Sequence, residues 1–154
     1  MPAVSPDHTI LLRLGRAYHA ATQAFEIATG VSAARWRLLY LIACHPGIGQ
    51  RQLVRLVQVD PGSITRQLSH LETEALIERR SDADDARVLR LHLTRRGRQL
   101  VQRVMRIRSD FLSDMVAGVT ADELATTLAV LDRVAQNMGD NSPLPQDPPQ
   151  SSKR

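Results

Sequence analysis

The sequence lacks most of the features on which cross-linked, membrane-spanning and secreted proteins depend. It contains a single cysteine, Cys44, which excludes an intrachain disulfide framework. Its longest uncharged apolar run near the middle, 38–44, is far shorter than the ~20 residues that span a bilayer. The N-terminus has neither the basic nor the apolar segment of a signal peptide. We therefore expect a cytoplasmic protein without a membrane partner.

Motifs that carry enzymatic chemistry are also missing. The sequence has no G-x-S-x-G, no Walker A loop and no H-E-x-x-H. The segment 47–49 (GIG) is expected to be a loop between helices, without the strand that a dinucleotide fingerprint requires. The five histidines show no metal-ligand spacing. We expect no catalytic residues, no metal site and no cofactor.

Aromatic residues and lysine are both scarce. Because aromatic side chains make up only 3% of the sequence, aliphatic residues must form most of the core. Lys153 is the only lysine among 20 basic residues, and the formal net charge is +4. Arginine is the better bidentate partner for phosphate and guanine. Genome composition explains the arginine bias equally well, so the bias alone does not identify a nucleic-acid partner.

Hydrophobic periodicity predicts a mostly α-helical chain with a small β component, an α+β fold. Apolar residues at three- and four-residue steps predict helices at 7–29, 33–45, about 49–57, 61–75, 95–116 and 121–138. Alternating apolar and polar residues predict short strands at 77–80 and 88–93, joined by a turn rich in aspartate.

Residues 60–75 have the features of a helix that could lie in the major groove of DNA. Asp60 is a capping residue and Pro61 stands at the first helical position. A buried stripe is expected at Ile64, Leu68, Leu71 and Ala75. The outward side chains are expected to contact bases or phosphates: Gly62, Ser63, Thr65, Arg66, Ser69 and His70. Free N–H groups at Gly62 and Ser63 would favour a phosphate. The alternative is an ordinary solvated helix face.

The residues after this helix predict a two-stranded ribbon with a basic tip. Arg87 is placed to enter the minor groove, and Asp85 is expected to hold its guanidinium group. Phosphate contacts are expected from the ribbon arginines Arg79, Arg80 and Arg90. One alternative is a solvated turn with a weak surface salt bridge. Another is a calcium loop at Asp82 and Asp84, which lacks the glycine and later ligands of an EF-hand.

The remaining helices suggest how the chain is organised. The first helix and the last two are apolar on one side and need a partner surface. We expect 7–30 and 98–138 to form a dimerisation region, with packing on their own module as the alternative. Residues 31–97 are expected to form a winged helix-turn-helix domain that binds DNA. Residues 139–154, which hold half of the prolines, are expected to form a disordered tail.

Four of the five aromatic residues lie between positions 18 and 40. With neighbouring cationic residues they form a candidate effector pocket for an aromatic carboxylate: Arg16, Tyr18, His19, Trp36 and Tyr40. The alternative is that the aromatic residues are core and that Arg16 and His19 are solvated. Cys44 is either a buried inert thiol or a redox sensor.

Taken together, residues 7–138 resemble the MarR family of transcriptional regulators. The most specific match is the wing, DADDAR at 82–87, followed by LTRRG at 93–97. The start of the recognition helix, DPGSITR at 60–66, also resembles the family. Ala86 departs from it, since many members carry arginine there, and this leaves Arg87 more isolated.

The resemblance implies a homodimer whose termini form the interface and a pseudo-palindromic operator in double-stranded DNA. It implies repression in most members, with release by a small phenolic or other aromatic acid in many of them. Two alternatives stay open: a winged-helix module that binds other proteins without recognising an operator, and a cysteine-based redox-sensing regulator.

Overall fold

The structure is a computed structural model that describes residues 9–57 and 59–140. Within those residues the chain forms six helices and three strands. In chain order they are α1 (Ile10–Thr29), α2 (Ala33–Cys44), β1 (Ile48–Gly49), α3 (Gln50–Val57), α4 (Pro61–Thr73), β2 (Ile77–Ser81), β3 (Leu89–Leu93), α5 (Arg95–Met115) and α6 (Ala121–Asn137). The prediction of a mostly α-helical α+β fold is confirmed.

The sheet has three antiparallel strands in the order β1-β3-β2, so the prediction of a two-stranded ribbon is incomplete. β2 and β3 form the ribbon, with Ile77 opposite Leu93 and Arg80 opposite Arg90. The segment 47–49, expected to be a loop, includes β1, where Ile48 pairs with Leu91. A strand of two residues is too short to show an alternating pattern in the sequence. It forms because it pairs with β3, which is distant in the sequence.

The main hydrophobic core lies between α2, α3, α4, the sheet and the first turns of α5. Its fully buried members are Leu38, Leu39, Leu41, Ile42, Leu53, Ile64, Leu68, Leu71, Ile77 and Leu91. Three of them lie on one side of α4 at helical spacing, which fixes the opposite side of that helix toward solvent. Ala75, expected in the same buried stripe, is exposed and lies beyond the end of α4 with φ +54°.

Four helices begin with a side-chain cap, and at α2 the Ser32 hydroxyl accepts the N–H of Arg35. The Asp60 carboxylate accepts the N–H of Ser63, and the Thr94 hydroxyl accepts that of Gly97. Thr120 and Glu123 form a reciprocal capping box at the start of α6. These caps satisfy N–H groups that have no partner inside the helix, and they mark where each helix starts.

The terminal helices leave large apolar side chains exposed in the single chain. α1 buries only Phe25 and Thr29, and α6 buries no residue. Exposed apolar residues include Leu11 at 77%, Tyr18 at 71% and Leu128 at 54%. Within the described part of the chain, no helix is both long and apolar enough to cross a membrane. The expected disordered tail, apart from 139–140, lies outside the described residues.

Candidate nucleic-acid interface

The outward side of α4 is exposed as the sequence predicts. Thr65, Arg66, Ser69 and His70 are exposed, as is Gly62 in the first turn, whereas Ser63 is half-buried. The helix is held by the burial of Ile64, Leu68 and Leu71, so these side chains share a surface that is free of core contacts. This exposed side of α4 can enter the major groove of B-DNA, which is wide enough to admit one α-helix.

The first turn of α4 offers fewer N–H groups than expected. Pro61 has none, and the N–H of Ser63 donates to the Asp60 carboxylate at 2.8 Å. The N–H of Ile64 donates to the Asp60 carbonyl oxygen at 3.2 Å. The expectation of a free N–H at Ser63 is therefore wrong, because the cap occupies it. The first turn retains the N–H of Gly62, beside a carboxylate that disfavours a phosphate.

Hydroxyl groups on the outward side of α4 donate their protons to the helix itself. The hydroxyl of Thr65 donates to the Pro61 carbonyl oxygen at 2.9 Å, and that of Ser69 donates to the Thr65 carbonyl oxygen at 3.0 Å. Thr73 donates to Ser69 in the same way at 2.9 Å. These bonds to the preceding turn are common for serine and threonine in helices.

Gln50, the first residue of α3, is a site residue that the sequence does not reveal. Its amide nitrogen donates to the hydroxyl oxygen of Thr65 at 2.9 Å, across the turn of the helix-turn-helix. Nothing in the periodicity identifies this contact, because it joins residues 15 positions apart on two different helices. The one feature of the sequence that could have indicated this contact is that Gln50 is a polar residue at the start of a helix with an apolar stripe.

Arg66 differs from its hydroxyl-bearing neighbours. It is exposed, and its guanidinium group has no partner among the described residues. Its planar fork of donors is therefore free to meet an acceptor pair such as the O6 and N7 atoms of guanine.

The turn between β2 and β3, which we call the wing tip (82–88), is organised by Asp82. One carboxylate oxygen accepts the N–H groups of Asp84 at 2.9 Å and Asp85 at 3.3 Å. The other accepts Nε of Arg90 at 2.5 Å. The N–H of Asp84 and then the Arg90 guanidinium lower the pKa of Asp82 below its ordinary value of 3.8. The carboxylate therefore stabilises the turn as an anion.

Asp85 acts on Arg87 in a different way from the one expected. Its carboxylate accepts the backbone N–H of Arg87 at 2.9 Å, and no ion pair with the guanidinium group is formed. The expectation that Asp85 holds the guanidinium is wrong, since the short turn directs the carboxylate toward the backbone. Arg87 is exposed at the wing tip, with its backbone fixed and its side chain directed to solvent.

The three ribbon arginines all form ion pairs within the chain. Arg79 pairs with Glu72 at 3.4 Å, Arg80 pairs with Glu78, and Arg90 pairs with Asp82. Arg80 and Arg90 face each other across the ribbon, where like charges repel. Their acidic partners, Glu78 on β2 and Asp82 in the wing tip, offset this repulsion. A phosphate contact from any of the three would compete with its ion pair.

The five residues of the expected effector pocket fall into two groups in the single chain. Trp36 and Tyr40 belong to an aromatic row with Phe25 and Phe111, with ring centroids 5.5 to 6.1 Å apart. The Arg108 guanidinium lies 5.7 Å from the Tyr40 ring centroid. Within the described residues these rings form part of the packing between α1, α2 and α5.

The other group lies on α1. Arg16 lines a depression of about 410 Å³ together with Arg13, Ala17 and Ala20, and Tyr18 and His19 are exposed nearby. The Cys44 side chain is half-buried at the end of α2, which favours neither a fully buried inert thiol nor an exposed redox sensor. The described residues contain no group of three side chains that could hold a metal ion.

Comparison with known proteins gives consistent matches. The model of the MarR family matches residues 31–89, which run from the residue before the α2 cap to the start of β3. The chain is similar to the HTH-type transcriptional regulator YdgJ of Bacillus subtilis, with 31% identity over 134 residues, 87% of this chain and 82% of that protein.

Two solved structures show the same fold. A mutant of MarR from E. coli, crystallised with operator DNA, is 26% identical with a TM-score of 0.69, over 84% of this chain and 99% of that chain. The PcaV transcriptional regulator from Streptomyces coelicolor, in complex with its natural ligand, is 23% identical with a TM-score of 0.76. That match covers 90% of this chain and 99% of that chain.

Proposed function

This chain belongs to the MarR family of DNA-binding transcription regulators, which are not enzymes, and we propose that it is a homodimeric repressor of a pseudo-palindromic operator. The observation that carries the proposal is that two exposed arginines lack an acidic partner among the described residues. Arg66 on α4 and Arg87 at the wing tip have guanidinium groups that no described acid pairs with, whereas the ribbon arginines are all paired. Free guanidinium groups at these two places suit the two grooves of DNA.

Each element has a defined part in this proposal. α4 enters the major groove, where Arg66 donates to guanine and the neighbouring side chains contact adjacent bases. The wing tip approaches the minor groove, whose negative potential is greatest where A·T pairs narrow it, and Arg87 enters it. Asp82 and Asp85 contribute by fixing the backbone of the wing tip. The DNA-binding domain is 31–97.

The proposed dimer is supported by the terminal helices. α6 buries nothing in the single chain, and Leu128, Leu131 and Met115 are exposed. Monomeric proteins rarely expose large apolar patches, so a second copy that covers these side chains accounts for their exposure. In this arrangement 7–30 and 98–138 form the dimerisation region. Two-fold symmetry would then set the recognition helices roughly 34 Å apart, one turn of DNA.

A small aromatic carboxylate is the proposed effector, acting in the cytoplasm. PcaV, which shares the fold, was crystallised with its natural ligand. In this chain the Arg16 depression supplies cationic donors on α1, and the Trp36–Tyr40 pair supplies aromatic rings on α2, at the start of the DNA-binding domain. A ligand that bound to both groups would join α1 of the dimerisation region to α2 of the DNA-binding domain.

The experiment is selection of binding sites from random duplex DNA, followed by titration of the enriched duplex at several salt concentrations. We expect an inverted repeat bound at nanomolar concentration and an affinity that falls steeply with salt as counterions are released. Aromatic acids added to the complex should then release the DNA. Absence of enrichment, with weak binding indifferent to sequence, would overturn the operator proposal and favour the protein-docking module.

A further inference from the structure

Two hydrogen bonds inside the protein hold the hydroxyl group of Thr65. It lies 2.9 Å from the carbonyl oxygen of Pro61 and 2.9 Å from the side-chain amide of Gln50. A carbonyl oxygen can only accept, so the single hydroxyl proton must be donated to Pro61. The Gln50 atom that faces the hydroxyl is then its nitrogen, which donates to it.

We propose that Thr65 recognises thymine through its methyl group and that Gln50 is a positioning residue which fixes the direction of that methyl. This inference rests on the proposed function and states which base the helix reads. The β-carbon of threonine carries one hydroxyl and one methyl. Since Thr65 is exposed and its hydroxyl is bonded to Pro61 and Gln50, the methyl is the group left to meet DNA. Thymine is the one base that presents a methyl group in the major groove.

The bond from Gln50 selects one side-chain conformation. Threonine in a helix divides between two χ1 rotamers, because its hydroxyl can reach the preceding turn. Gln50 lies at the first position of α3 and is half-buried, and its amide nitrogen reaches the Thr65 hydroxyl from that helix. Its bond favours the rotamer in which the hydroxyl faces α3 and the methyl faces away.

The neighbouring polar side chains on the outward side of α4 differ in whether they can donate a hydrogen bond to a base. Ser69 and Thr73 also donate their hydroxyl protons to the helix, so they too have none left for a base acceptor. Arg66 is therefore the strongest free donor on this surface. Since Thr65 and Arg66 are adjacent, we expect each half-site to contain a guanine and, in a neighbouring base pair, a thymine whose methyl group is read.

The test replaces each thymine of the selected operator, one at a time, by deoxyuridine, which removes only the 5-methyl group. The wild-type protein should lose about fourfold in affinity at one thymine of each half-site, as expected from burial of one methyl group. Thr65→Val keeps the methyl and should show the same loss. Thr65→Ser keeps only the hydroxyl and should bind the thymine and uracil operators equally.

Gln50→Met tests the positioning role, since methionine has similar length and no charge but lacks the amide donor. The ratio of thymine to uracil affinity should fall toward one, while the melting temperature stays the same. A purely structural role of Gln50 would change stability and leave that ratio alone.

The results that would overturn the inference are distinct from failure of the proposed function. Specific operator binding with no effect of any uracil substitution overturns methyl recognition alone. A thymine preference that Thr65→Ser keeps and Thr65→Val loses assigns the contact to the hydroxyl and also overturns it. An unchanged ratio in Gln50→Met overturns the positioning role. If the wild-type protein selects no sequence, the proposed function itself fails.

Discussion

Gly97 lies against the carbonyl group of Leu76, so closely that a Cβ atom at position 97 would be 2.0 Å from the Leu76 oxygen. The same oxygen accepts the N–H of Thr94 at 3.1 Å, and the Thr94 hydroxyl donates to the carbonyl oxygen of Ala75 at 2.6 Å. These contacts join the chain just after α4 to the first turn of α5. The helix proposed to read DNA is thereby fixed to the helix proposed to form the dimer.

We predict that Gly97→Ala lowers the free energy of unfolding by roughly 2–3 kcal/mol, because a backbone carbonyl cannot rotate aside as a flexible side chain can. Urea denaturation followed by circular dichroism measures the change. Gly15→Ala is the matched control, since a Cβ there meets nothing within 4 Å and alanine favours a helix by about 0.5–1 kcal/mol. Equal effects of the two substitutions would contradict the close contact.

Elements set by local rules could be predicted from the sequence. The Asp60 cap and the Thr120–Glu123 capping box involve residues three positions apart, and the structure contains both. The strand β1 could not be predicted, since it exists through pairing with Leu91 and Arg90. Ala75 continues the apolar spacing of α4, but the chain must reverse there to begin β2, and it adopts φ +54°.

Partners of charged groups in the site were the hardest feature to predict. Spacing identifies an acid beside an arginine, but not which atoms meet. Asp85 stands two residues before Arg87, yet its carboxylate accepts a backbone N–H. Asp82 instead binds the guanidinium group of Arg90, eight residues later, because the ribbon brings them together. The local geometry of the turn and the pairing of the ribbon decide these choices, and the spacing of the residues does not reveal either.

Replacement of Arg66 should separate base recognition from charge. We predict that Arg66→Ala weakens operator binding by about 1–3 kcal/mol and relaxes the preference at one base pair of each half-site. Arg66→Lys keeps the charge but loses the bidentate fork, so it should restore affinity without restoring preference. Titration against operators with single base changes measures both. A uniform loss on all sequences would identify a phosphate contact.

Arg87 and Arg80 form a matched pair in the wing. Both are exposed arginines, but Arg80 is paired with Glu78 while Arg87 has no acidic partner among the described residues. We predict that Arg87→Ala weakens operator binding at least tenfold (about 1.4 kcal/mol) and Arg80→Ala has a smaller effect. Sedimentation should show the same oligomeric state for both variants and the wild type. Equal losses would place Arg87 among ordinary phosphate contacts.

The wing tip should become less stable at acidic pH. The pKa of Asp82 is lowered in the folded state, so its stabilising contribution is present above 3.8 and is lost as the pH falls through the folded-state pKa. An NMR titration of the Asp82 carboxyl carbon should give a midpoint below 3.8. In Arg90→Gln the midpoint should rise but stay below that value, because the N–H of Asp84 is the larger cause. A wild-type midpoint at or above 3.8 contradicts this account.

A charge on the exposed apolar side of α6 should dissociate the proposed dimer. Leu128→Glu would place a carboxylate in an apolar interface without a partner, at a cost of about 3 kcal/mol or more, enough to weaken the dimer over a hundredfold. Thr126→Glu adds the same charge two residues away, on the opposite side of the helix, and should leave the dimer intact. Analytical ultracentrifugation distinguishes the two variants.

Because a DNA half-site contacts one protomer, the Leu128 variant should also lose affinity for the full operator while it keeps its secondary structure. A dimer unchanged by Leu128→Glu would show that this side of α6 faces solvent.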